Sequence, residues 1–220
     1  PSYSVEHRLR CKDGSYKWVS SRGKVISRDS AGRPLRMIGT TSDITERKRI
    51  EAELQEFATT DFLTQLPNRR HFMSHIEAEL TRIQRGKSQA AAVLMCDMDH
   101  FKSINDQWGH AVGDLALKHF AGILREQLRK SDLAGRVGGE EFAVVLGDAS
   151  RDEALGFAQR VQQRLMQTPL LEGEHRIVLT VSIGIAAMSA ADSSVDAPLS
   201  RSDQALYGAK EHGRNRIECL

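Results

Sequence analysis

Residues 90–99 read Ala-Ala-Ala-Val-Leu-Met-Cys-Asp-Met-Asp, seven apolar residues running straight into a pair of carboxylates. An unbroken apolar run of this length predicts a strand buried on both faces, because a half-exposed strand alternates with polar residues. It ends at Asp97-Met98-Asp99, and the strand period of two puts both carboxylates on one face as the chain surfaces. Helical spacing flanks it at 71–85 and 111–129. Strands follow at 133–137 and 142–146 around a glycine turn, then a helix at 151–167, a long strand at 176–187, a helix at 199–212 and a short strand at 216–219. From residue 90 the order is β-α-β-β-α-β, then helix and strand. The expected fold class is therefore α+β, a ferredoxin-like, palm-type domain whose central, mostly antiparallel sheet carries flanking helices.

Working upstream, residues 4–10, 16–20 and 35–41 have strand character and are separated by turns at Asp13-Gly14 and 29–34, which predicts a short N-terminal antiparallel meander. Three strands leave one apolar face uncovered, so this segment is expected to be part of a larger domain. The period changes over 43–60. Ile50, Leu54 and Phe57 lie four and three apart among charges, the spacing of a coiled-coil seam or of an ordinary solvated linker helix. Charge divides at the same place: residues 1–50 hold 12 Lys/Arg against 5 Asp/Glu, and residues 51–220 hold 19 against 24. The expected domains are 1–43, a linker helix 44–60, and 61–220.

Composition narrows the function classes. With 40% apolar and 27% charged residues the chain can bury a core. A formal charge of +2 gives no footprint for nucleic acid, and the longest apolar run is far short of the roughly 20 residues of a membrane span. Cys11, Cys96 and Cys219 are odd in number and widely spaced, which reads as reduced thiols in the cytoplasm. The chain opens at Pro1 without an apolar leader, so it is read as cut from a longer protein. His71 and His75 are four apart but lack the glutamate of a zinc-protease motif, and both are read as structural.

A second acidic cluster, Gly138-Gly139-Glu140-Glu141-Phe142, sits between two apolar stretches where a hairpin turn is expected. Acids and glycines at strand ends are ordinary turn chemistry. Two such clusters on one sheet edge are less so, since adjacent Glu140 and Glu141 repel unless a cation or basic group is near. Hard oxygen donors from one or two carboxylates, completed by water and substrate phosphate, suit Mg²⁺ or Mn²⁺.

Here the chain resembles a known family. Residues 136–142, Arg-Val-Gly-Gly-Glu-Glu-Phe, are similar to the signature of GGDEF-domain diguanylate cyclases in its Gly-Gly-Glu-Glu-Phe form. Three further stretches carry the likeness: 61–70, Asp-Phe-Leu-Thr-Gln-Leu-Pro-Asn-Arg-Arg; 97–106 with Gly109-His110 and Gly113-Asp114; and 205–215, Ala-Leu-Tyr-Gly-Ala-Lys-Glu-His-Gly-Arg-Asn. The likeness implies a nucleotide-cyclase palm that condenses two GTP into cyclic di-GMP with loss of two pyrophosphates, as a homodimer, since one domain holds one GTP. It implies metal ligation by Asp97, the carbonyl of Met98, Glu140 and Glu141, with Glu140 also helping the attacking hydroxyl lose its proton. Asp99 is read as turn-forming.

The resemblance further implies that Phe101, Lys102, His110, Lys210 and Arg214 bind the phosphate tail and its surroundings, while Asn105 and Asp114 read guanine, although either could serve as a helix cap. Lys210 and Arg214, four apart, would aim from one helical face. Arg129 and Asp132, with Arg160, would form an inhibitory site for cyclic di-GMP; taken alone, Arg129 at a helix end and a capping Asp132 explain the same letters. Residues 6–19 and 25–48 resemble the last three strands and exit of a PAS domain, implying regulation by a sensor. The alternative reading is an inactive GGDEF domain serving as a receptor for GTP or cyclic di-GMP.

Overall fold

The computed structural model describes residues 2–88 and 90–220, which divide between Phe57 and Ala58 into two compact units. In the first unit, β1 (Ser2–Arg10), β2 (Tyr16–Arg28) and β3 (Pro34–Asp43) form the expected antiparallel meander in the order β1-β2-β3. Glu6, Ser20 and Ser42 share one rung and Val5, Ser21 and Thr41 the next, so neighbouring rungs point to opposite faces of the sheet. The face that carries Tyr3, Val5 and Leu9 of β1 leaves these side chains and Met37 exposed. Asp43 closes the sheet by accepting from Lys17 Nζ at 2.9 Å and from the Thr45 N–H at 2.9 Å, which fixes where α1 (Thr45–Thr59) begins. The helix α1 buries none of its residues, and the seam positions Ile50, Leu54 and Phe57 are all exposed.

The second unit is built on β4 (Ala91–Met98), whose eight residues are all buried. It lies at the centre of a five-stranded sheet of order β10-β9-β4-β6-β5, where β5 is Leu133–Arg136, β6 Glu141–Gly147, β9 Val181–Met188 and β10 Ile217–Cys219. Only the β10–β9 pair is parallel, and the order β9-β4-β6-β5 is the ferredoxin-like one. Even-numbered residues of β4, Leu94, Cys96 and Met98, pack with α4 (His110–Gln127) and α5 (Arg151–Gln167). There Phe120 meets Phe142 edge to face at 4.9 Å. Odd-numbered Val93 and Met95 join a second cluster with Phe72 and Ile76 of α2 (Arg69–Gln84) and Leu206 of α6 (Asp196–Glu211). A strand covered on both sides needs a continuous apolar run, which is what residues 90–96 supply.

Two elements depart from the expectation. The apolar stretch expected as one strand at 176–187 serves two sheets: His175–Ile177 (β8) pairs with Leu170–Glu172 (β7) in a hairpin, and β9 begins afresh at Val181 opposite Met98. Residues 101–108, to which the sequence spacing assigns no element between the strand and the helix at 111–129, form the helix α3 (Phe101–Trp108), entered through His100 in a left-handed conformation with φ 55°. No helix among the described residues is long and apolar enough to cross a membrane.

Candidate active site

The two acidic clusters meet on the central pair of strands. Asp97 lies directly opposite Glu141 in the antiparallel β4–β6 register, and the Met98 N–H donates to the Glu140 carbonyl at 3.3 Å. Cross-strand partners hold their β-carbons about 5 Å apart on one face. Asp97 is 8% exposed, and its Oδ2 accepts from Lys210 Nζ at 2.7 Å, so α6 brings an ammonium onto the carboxylate. Glu141 curls back over the turn, close enough that a β-carbon on Gly138 would meet its Oε2. The two like charges thus turn to different neighbours, and among the described residues no three His, Cys, Asp or Glu side chains converge as a metal cluster. Two carboxylates and a main-chain carbonyl suit the sparse, all-oxygen protein share of a Mg²⁺ shell.

The turn is held from outside. Arg136 donates from Nε and Nη2 to the Gly139 carbonyl at 3.1 and 2.8 Å, and from Nη1 to Asp61 at 3.2 Å. Asp61 in turn accepts from the Thr64 N–H and hydroxyl at 2.9 and 2.6 Å. Burial pushes the Asp61 carboxyl upward, but the Thr64 donors and the Arg136 guanidinium outweigh it and hold the group below its ordinary range. Both partners are largely buried, with side chains 15% and 16% exposed, so the pair is screened little. Replacing Arg136 by Ala is expected to cost about 2 kcal/mol, read as a lowered melting temperature, and Arg136→Lys is expected to recover less than half because it cannot fork between carbonyl and carboxylate. Unchanged melting in both variants would remove the network from the account.

The remaining residues fall into place unevenly. Phe101, at the start of α3, packs against the core, and Asn105 sits so close to α4 that a β-carbon on Gly113 would stand 2.0 Å from its Oδ1. Gly113 therefore lets α3 and α4 close around Asn105. Lys102, His110 and Asp114 are exposed on these two helices. Arg129, Asp132 and Arg160 line one narrow cleft together with Glu153 and Phe157. In it Asp132 accepts from the Arg129 N–H at 2.9 Å, the capping bond of the simpler reading, and the Arg160 guanidinium lies over the Phe157 ring at 6.0 Å.

One expectation is corrected and another is extended. Lys210 and Arg214 do not share a helical face, because α6 stops at Glu211 and Gly213 (φ 115°) and Arg214 (φ 62°) turn left-handed. The Arg214 N–H donates to Ala209 O at 3.0 Å, closing a Schellman cap. Asp99 stands in the turn after β4, as read, but its side chain reaches well beyond that turn. It is 4% exposed and accepts from Ser182 Oγ at 2.6 Å and from the Asn215 N–H at 3.0 Å. Neither Asp99 nor the Asp61–Arg136 pair was legible as a structural tie in the letters, since their partners lie 75 or more residues away.

A family model for the diguanylate cyclase GGDEF domain matches residues 58–216, and one for the PAS fold matches residues 2–41. The chain belongs to the GGDEF family. Its relatives include a diguanylate cyclase of Vibrio cholerae, 37% identical over 185 residues, which are 84% of this chain and 57% of the relative. The response regulator PleD of Caulobacter vibrioides is 37% identical over 74% of this chain and 36% of its own length. The chain thus spans about half the length, or less, of these relatives. Among solved structures, the coiled coil and GGDEF domain of DgcB from Caulobacter crescentus, in complex with c-di-GMP, aligns with TM-score 0.74 at 28% identity, over 80% of this chain and 93% of that one. The active GGEEF domain of a Vibrio cholerae diguanylate cyclase aligns with TM-score 0.66 at 34% identity, over 70% and 97%.

Proposed function

We propose that this chain is the catalytic part of a diguanylate cyclase, condensing two GTP into cyclic di-GMP and two pyrophosphates. The observation that carries the reading is the register: Asp97 opposite Glu141, with Glu140 and Met98 joined through their main chains beside them. A triphosphate brings several negative charges to a carboxylate pair, so cations must lie between. Asp97, the Met98 carbonyl, Glu140 and Glu141 would hold Mg²⁺ or Mn²⁺. When bound, such an ion supplies neutralisation of the phosphate charge and polarisation of the phosphorus under attack. Lys210, Lys102 and Arg214 would bind the phosphate tail, with Phe101 and His110 lining it, and Asn105 and Asp114 would accept from the guanine N1–H and amino group. Glu140 would draw the proton from the attacking 3′-hydroxyl.

Each domain would present one GTP, so turnover would need two chains face to face. The exposed Ile50, Leu54 and Phe57 seam of α1 supports pairing as a coiled coil, with residues 1–43 as the end of a regulatory PAS domain, 44–60 as linker and 61–220 as the cyclase. The test is incubation of the purified chain with GTP and Mg²⁺. Release of pyrophosphate with cyclic di-GMP supports the proposal; tight GTP binding without product would identify a receptor instead.

The cleft of Arg129, Asp132 and Arg160 is proposed as a product-inhibition site, where guanidinium groups fork to phosphate or guanine. Arg129→Ala is expected to keep turnover within about twofold while raising the inhibitory concentration of cyclic di-GMP roughly tenfold or more, the loss of one charged contact. Inhibition curves that superimpose would assign Arg129 and Asp132 to capping alone.

A further inference from the structure

We propose that Asp99 is a positioning residue that holds the loop 213–215, and with it Arg214, beside Asp97 without itself touching the substrate; this rests on the cyclase reading above. Asp99 stands one residue beyond β4, its own N–H donates to Thr180 O at 2.9 Å, and its carboxylate is buried. Oδ1 takes the hydroxyl of Ser182, the fully buried residue opposite Asp97 in the β4–β9 register. Oδ2 takes the backbone N–H of Asn215 across 116 residues of sequence. The loop it reaches needs such a tie. Arg214 (φ 62°) and Asn215 (φ 45°) follow Gly213 in left-handed conformations, which a side chain with a β-carbon disfavours. The Schellman cap holds its helix side, and the Ile183 N–H donating to Arg216 O at 3.0 Å starts the β10 side, so Asp99 ties the left-handed pair between these two anchors. With the Asn215 N–H fixed to Asp99, one residue beyond β4, the neighbouring Arg214 backbone is held at the end of the strand that carries Asp97. Without the tie the left-handed pair would be held only at Ala209 and Arg216, and the exposed Arg214 guanidinium would lose affinity through the added freedom of its backbone.

The alternative for a buried carboxylate next to Asp97 is ligation of a metal ion, and chemistry separates the two. Asn at 99 keeps an acceptor for the Asn215 N–H and can donate to Ser182 Oγ, since a hydroxyl reverses its role. It therefore preserves the tie but makes a poor cation ligand. The experiment measures GTP affinity by calorimetry with Mg²⁺ alongside steady-state formation of cyclic di-GMP. Asp99→Ala is expected to weaken GTP binding and raise KM about tenfold with kcat within about threefold, while GMP affinity stays within about twofold. Asp99→Asn is expected to return within about threefold of the unaltered chain. In an Arg214→Ala background, Asp99→Ala should add less than about twofold, because the two changes act through one contact. An unaltered KM in Asp99→Ala, an equal defect in Asp99→Asn, or full additivity with Arg214→Ala would each overturn the proposal. Should Asp99→Ala fail to fold, Asp99→Ser, which keeps a hydroxyl for Ser182 but falls short of Asn215, is read by the same criteria. GTP binding without product in the unaltered chain would overturn the cyclase reading while affinity still decides the role of Asp99; no GTP binding would overturn both.

Discussion

Glu140→Gln is expected to lower cyclic di-GMP formation by roughly a thousandfold, the scale of losing one strong electrostatic contact at a charge-developing centre, while the chain melts within about 2 °C of the unaltered protein. The tie that the structure gives this residue belongs to its main chain: the Glu140 carbonyl accepts from Met98 at 3.3 Å, and the exchange leaves that bond intact. What changes is charge. An amide is nearly isosteric with a carboxylate but is neutral and barely basic, so it can neither balance a divalent cation nor take a proton from a hydroxyl. GTP affinity should fall much less than turnover, because Lys210, Lys102 and Arg214 remain. Chromatography of products and calorimetry of GTP binding give the two numbers separately. Turnover within about tenfold of the unaltered chain would remove Glu140 from the chemistry and leave Asp97 and Glu141 as the acting pair.

Gly184→Val is expected to destabilise the second unit by about 3 kcal/mol or more, lowering its melting temperature by roughly 10 °C. Gly184 lies within β9 where α6 crosses it, and a β-carbon there would stand 2.1 Å from the Ser202 carbonyl oxygen and 2.2 Å from Leu206 N. These are backbone atoms of a helix, so no rotamer can yield and α6 must lift as a body. Because α6 also carries Lys210 to Asp97, the displaced helix should weaken GTP binding along with stability. Gly184→Ala should show the same direction at smaller amplitude. A valine variant that melts like the unaltered chain would mean that α6 does not need the bare backbone beneath it.

What could be read from the letters follows from how local the cause is. The strand β4 was legible because burial on both faces leaves seven apolar residues in a row, and α5 from its helical spacing; its start also has a local cause that the spacing does not show, the capping box in which Ser150 and Glu153 exchange side-chain-to-backbone bonds. The acidic ends of β4 and the Gly138–Gly139 turn were legible as clusters, and their pairing follows once the sheet is antiparallel. The helix α3 was missed although Phe101, Ile104 and Trp108 repeat at helical spacing, because its entry at His100 uses a left-handed residue and no capping side chain. The break before Val181 was hidden by continuous strand propensity, since the choice between pairing with β7 and pairing with β4 is made by tertiary contacts. The i, i+4 spacing of Lys210 and Arg214 misled for a similar reason: a glycine at 213 ends the helix between them.

The central place of β4, flanked by β9 and β6 and covered on both faces, has a consequence for motion. Amides in such a strand exchange with deuterium only when the domain opens as a whole, whereas the three- and four-residue rim strands β10 and β5 fray at much lower cost. Asp97 therefore rides on the slowest-breathing segment of the domain, and its carboxylate keeps its place through the small openings that loosen the rim.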